Sequence, residues 1–83
     1  MAIKPIGAVI HYYNGIGVAI VKFQSNISVG QKIRIKGATT DFTQTIDSMQ
    51  YDHKNINSAK AGEEVGIKVN DKVREGDLIF LEE

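Results

Sequence analysis

The sequence predicts an all-β domain whose strands close into a six-stranded antiparallel barrel. Ile and Val together number 19 against 2 Leu in 83 residues, and β-branched side chains, stiff at χ1, suit a pleated surface. Apolar residues alternate or come in short bursts, and no stretch sustains a helical period. Turn-forming residues recur at short intervals, and a small sheet with that many strands hides its edges by closing.

The first strand is Ile6 to Tyr13. Asn14-Gly15 follows, a dipeptide that fits the positive φ angles of a two-residue hairpin turn. The second strand, Ile16 to Phe23, is apolar almost throughout, which predicts burial on both faces for part of its length. Gly7 and Gly17 inside these strands mark a bend, a bulge or a close backbone approach. Ile27 and Val29 are isolated apolar anchors before the turn at Gly30. The third strand, Gln31 to Lys36, sets Ile33 and Ile35 against Lys32, Arg34 and Lys36, giving one core face and one wet, basic face.

The fourth strand spans Phe42 to Tyr51, and its alternation breaks. Phe42 and Ile46 share one parity and Met49 and Tyr51 the other, so a bulge is expected near Asp47-Ser48. Asp52 to Gly62 is a polar connection with Ile56 and Ala59 touching the core. Val65 to Val69 is the fifth strand, the following charged turn carries the apolar plug Val73, and Leu78 to Leu81 closes the barrel. The expected inward set includes Val18, Ile20, Ile33, Ile35, Ile67, Val69 and Ile79. Residues 1–83 read as a single domain, without repeat, linker or low-complexity segment.

Composition excludes several functions. Ten Lys and Arg balance ten Asp and Glu, so the excess cation that drives non-specific polyanion binding is missing, although a local basic face is not. The absence of Cys removes disulfides and Cys-based zinc sites. No apolar run approaches the ~20 residues of a membrane helix. The segment from Met1 to Ile6 lacks the apolar core of a signal peptide. The expectation is a cytoplasmic protein that does not contact a membrane.

Ile27-Ser28-Val29-Gly30-Gln31-Lys32-Ile33-Arg34-Ile35-Lys36-Gly37 resembles the second domain of translational GTPases such as elongation factor Tu, where an apolar-x-x-Val-Gly segment leads into an alternating strand. Ile46-Asp47-Ser48-Met49, the turn and strand from Ala59 to Ile67, and Val73 to Ile79 continue the resemblance in order. His11-Tyr12-Tyr13 with Ile16-Gly17-Val18-Ala19 is similar to a narrower group. It contains stand-alone elongation-factor-like proteins and the C-terminal barrel of collagenase-like peptidases.

The resemblance implies a closed Greek-key β-barrel and a role in binding RNA or a protein of a translation-related assembly. The collagenase-like side implies instead an accessory module that docks a substrate or partner. No Gly-x-x-x-x-Gly-Lys-[Ser/Thr] loop is present, so the chain is expected neither to bind nor to hydrolyse GTP. The acids that help form the aminoacyl pocket in elongation factor Tu have no counterpart between Val9 and Tyr13, and the family's turn Asn is matched by Glu64.

Two candidate surfaces stand out. His11, Tyr12, Tyr13 and Asn14 form an aromatic hairpin tip that could stack on bases or anchor a partner; alternatively its rings cap the barrel end. Lys32, Arg34 and Lys36 form a stripe that could track phosphates, joined by Lys22 and Lys68 if their strands are neighbours; alternatively it is a solvated face. Ser48, Asp52 and His53 supply the residue types of a hydrolytic triad without a nucleophile elbow, and adjacent Asp52 and His53 point apart in an extended chain. His11 and His53 lack metal-ligand spacing. The chain is thus expected to be a non-enzyme without cofactor or metal.

Overall fold

The structure is a computed structural model, and it describes residues 4–51 and 54–82. The strands among these residues are β1 (Gly7–Tyr13), β2 (Val18–Phe23), β3 (Ile27–Ser28), β4 (Lys32–Lys36), β5 (Asp41–Thr45), β6 (Met49–Tyr51), β7 (Lys54–Ile56), β8 (Ser58–Ala59), β9 (Glu64–Lys68) and β10 (Leu78–Leu81). Eight of them form one antiparallel sheet in the order β5-β4-β10-β1-β2-β9-β6-β7, and β3 pairs with β8. Among the described residues there is no helix long and apolar enough to cross a membrane.

The all-β class is as expected; the closed six-stranded barrel is not. The long fourth strand divides at Asp47-Ser48. Its first half, β5, pairs with β4, while its second half, β6, pairs with β9 and β7. Ile46 and Met49 both point inward, so the two intervening residues do restore the inward face, through a break rather than a bulge. The hydrogen-bonded order therefore ends at β5 and β7.

The sheet curls enough for β5 to meet the end of β9 through a side chain. The buried Gln44 amide donates from Nε2 to the Lys68 carbonyl at 2.8 Å and accepts at Oε1 from the Asn70 N–H at 2.8 Å. One side-chain amide thus satisfies the donor and the acceptor that a neighbouring strand would have met with its backbone.

The core follows the pleat. Ile33 and Ile35 of β4, Ile67 of β9, Ile79 of β10 and Val69 are buried as expected, and Val65, Val73 and Ala59 join the same core. On β2 the parity is reversed. Ala19, Val21 and Phe23 face the core, while Val18 and Ile20, expected inside, lie half-buried on the outer face. An almost wholly apolar strand gives no polar side to mark its outward face, so alternation cannot set its phase.

The β1–β2 hairpin also differs from a two-residue turn. Four residues, Asn14 to Gly17, link Tyr13 to Val18, and the Gly17 N–H donates to the Tyr13 carbonyl at 2.9 Å. The left-handed position falls on Gly17, with φ 67°, where a Cβ would be strained. Lower on β1, the register passes from Val9 opposite Val21 to His11 opposite Ile20. Ile10 is the extra residue of a β-bulge. Below it Gly7 and Val9 face inward; above it Tyr12 packs against the core.

Candidate functional site

The reversed phase of β2 gives the sheet an apolar outer surface. Ile20 stands opposite Gly66 of β9, and Gly66 stands opposite Gln50 of β6. A Cβ placed on Gly66 would lie 3.3 Å from Val18 Cγ1 and 3.4 Å from Ile20 Cδ1, so these two side chains lean toward the glycine. The result is a groove of about 330 Å³ lined by Tyr13, Ile16, Val18, Ile20, Gln50, Glu64 and Gly66. Ile16, at the turn, is 66% exposed and Tyr13 is 47% exposed, so the groove is rimmed by solvent-facing apolar surface.

The hairpin tip divides between two roles. Tyr12 packs on the core, whereas His11, Tyr13 and Asn14 are exposed. His11 Nδ1 lies 2.9 Å from Glu75 Oε2, which ties β1 to the turn before β10. The His11 and Tyr13 rings meet edge to face at 4.4 Å between centroids. Tyr13 is therefore held from one side and presents its remaining surface to the groove.

The basic stripe is partly neutralised. Lys32 and Lys36 are exposed, but both ends of the Arg34 fork are engaged by Asp41 of β5, Nε to Oδ1 at 2.8 Å and Nη2 to Oδ2 at 3.0 Å. Hydrogen bonding to Arg34 holds the Asp41 carboxyl below the usual carboxylate range, and Asp41 in turn raises Arg34. Lys22 and Lys68 do not join this stripe, because β10 and β1 separate β4 from β2 and β9. Lys22 stands opposite Glu64 and Lys68 opposite Val18.

Ser48 is exposed in the break between β5 and β6, and Asp52 and His53 lie outside the described residues. Among the described residues, no three His, Cys, Asp or Glu side chains are grouped to hold a metal ion.

Sequence reasoning singled out Tyr13 but missed Ile16, Val18, Ile20, Gln50, Glu64 and Gly66 as parts of one surface. The signal was present in two places. Ile16 to Phe23 is more apolar than a single buried face requires, and Gly66 interrupts a β-branched strand. What was missing was the pairing that sets these two segments side by side.

Fold and groove together define an all-β module with an apolar groove on its outer face. No protein-family model matches the chain. Over 77 residues, 92% of this chain, it is 40% identical to an uncharacterised protease of Methanocaldococcus jannaschii, covering 19% of that protein. It is 30% identical over 77 residues to a collagenase of Porphyromonas gingivalis, matching 90% of this chain and 21% of that one. The chain thus spans about a fifth of the length of the curated relatives it matches.

The crystal structure of the C-terminal domain of a protein described as a U32 peptidase, from Geobacillus thermoleovorans, superposes with a TM-score of 0.91 at 20% identity. It covers 96% of this chain and 93% of that one. A selenomethionine variant of the same domain gives 0.87 at 21% identity, covering 93% and 98%. The fold is that of this C-terminal domain. These findings support the collagenase-like side of the sequence resemblance and lend the translation-factor side no support.

Proposed function

We propose that the chain is a non-catalytic module that docks a substrate or partner polypeptide for a collagenase-like peptidase, using the outer face of β2 and β9. The observation that carries this reading is the groove between Tyr13, Ile16, Val18 and Ile20 over Gly66. Its exposed apolar surface has no use in the isolated domain and would be buried by a partner. The similarity to proteases and a collagenase makes polypeptide the natural occupant, and its extent, nearly all of this chain but a fifth of theirs, fits an accessory part.

The test is capture on the purified chain with and without nuclease, followed by Val18→Ser and Ile20→Ser. A polypeptide is expected to stay bound after nuclease and to be lost on groove substitution. Binding that disappears with nuclease, or that depends on Lys32 and Lys36 while ignoring the groove, would overturn the reading in favour of RNA. The purified chain is further expected to cleave no gelatin or peptide, and turnover abolished by a point substitution would contradict the non-catalytic part.

A further inference from the structure

We propose that the groove takes an extended polypeptide segment bearing an apolar side chain and, two residues along, a Lys or Arg. This deepens the docking reading and rests on it. Gly66 and Glu64 belong to the same strand and both take part in lining the groove. Being two residues apart, they lie about 6.6 Å apart along the strand, the spacing of side chains on one face of any extended chain. A segment lying along β9 would therefore set alternate side chains over these two positions.

At Gly66 the site is apolar. Val18 and Ile20 form one wall and lean over Gly66, so an apolar side chain would rest on these two side chains beside the glycine backbone. At Glu64 it is acidic. Although Lys22 is its register partner, Glu64 makes no ion pair among the described residues. Glu64 also borders a second depression with Tyr51, Gly62 and Glu63. Tyr51 is 44% exposed, so a cation there would meet a carboxylate and an aromatic ring together. Among the described residues Glu64 is the one charged residue that lines the groove, and its place at one end gives the bound segment a direction. The acidic end also disfavours a phosphate backbone, so a polypeptide is argued here over RNA.

The experiment is an amide-shift titration of the isotopically labelled chain with synthetic peptides carrying Leu-x-Arg, Leu-x-Glu or Ser-x-Arg in a Gly-Ser frame, and with oligouridine. Leu-x-Arg is expected to shift the amides of Val18, Ile20, Gln50, Glu64 and Gly66. Leu-x-Glu is expected to bind about three- to five-fold more weakly, as for an exposed charge pair. Ser-x-Arg is expected to give no saturable shift. Glu64→Lys should reverse the charge preference. Gly66→Val should abolish binding by filling the groove, with Gly66→Ala as the milder variant should Val disturb the strand.

Equal binding of the Arg and Glu peptides, no binding by either, or oligouridine shifting the same amides would overturn the proposal. If a polypeptide is still captured through Val18 and Ile20 while the peptides show no charge preference, the specificity fails and the docking reading stands. If capture ignores the groove, the docking reading itself fails.

Discussion

The outer faces of β4 and β2 differ although both strands bury apolar residues on the other side. On β4 the outward residues are Lys32, Arg34 and Lys36, and Arg34 is committed to Asp41. On β2 the outward residues include Val18 and Ile20, which lie over a bare glycine. The β4 face is charged, while the β2 face exposes apolar side chains. A single sheet can therefore be charged on one outer surface and apolar on another, with an apolar core beneath both.

The sharpest way to break this contrast is to truncate an isoleucine on each strand. Ile35→Ala, at a fully buried site, is expected to cost about 2–5 kcal/mol in denaturant unfolding. Ile20→Ala is expected to cost about 1 kcal/mol or less while reducing partner capture. Similar costs at both positions would mean that Ile20 is core.

Glycines offer a second pair. A Cβ on Gly37 would collide with the buried Asp77 carboxylate, whose Oδ2 accepts the Arg74 N–H at 2.8 Å. Gly37→Ala is expected to cost about 1–3 kcal/mol by overpacking. Gly66→Ala meets two side-chain methyls at 3.3 and 3.4 Å and the Gln50 carbonyl only at an ordinary 3.9 Å, and should stay within about 0.5 kcal/mol of the parent. Thermal melts of the two variants read the difference directly.

Gln44 tests how much the seam beside β5 contributes. Gln44→Leu leaves the Lys68 carbonyl and the Asn70 N–H unpaired, for an expected loss of about 1–3 kcal/mol. Hydrogen exchange at Asn70 should accelerate before that of the central ladder; unchanged exchange would show that the amide link is dispensable.

The smallest effect concerns pH. Asp41 is lowered in the folded state, so its contribution to stability is present above its unfolded value and lost as pH falls through its folded value. Arg34→Gln should return the Asp41 titration toward the ordinary carboxylate range, observed by carboxyl NMR. A titration that does not move would remove Arg34 as the cause.

The legibility of the sequence follows the same contrast. Leu78–Leu81 is bounded as expected, and the predicted third strand exceeds β4 by one residue, because turns and alternating charges mark those segments. The outer apolar face was illegible because Val18 and Ile20 are as apolar as Ala19 and Val21. In sequence the short strands β7 and β8 look like a connection, yet Ile56 and Ala59 do reach the core as expected. Their few residues give alternation too little length to register. Closure was inferred from the need to hide edges, but the chain meets part of that need with the side chain of Gln44, which no backbone pattern encodes. Of the expected site residues, His11 and Tyr13 come together, Tyr12 turns inward, and the groove that Tyr13 borders depends on partners distant in sequence.

The bulge at Ile10 separates aim from chemistry in the hairpin. His11, Tyr12 and Tyr13 pair with Ile20, Ala19 and Val18 above the extra residue, and regular pairing resumes below it at Val9. What the extra residue alters is the local bend and twist of the strand. An insertion or deletion at this one place would swing the tip toward or away from the groove like a gimbal, carrying the same side chains. Related domains could thus change the angle at which they meet a partner through loss or gain of a single codon, with no substitution at the contact itself.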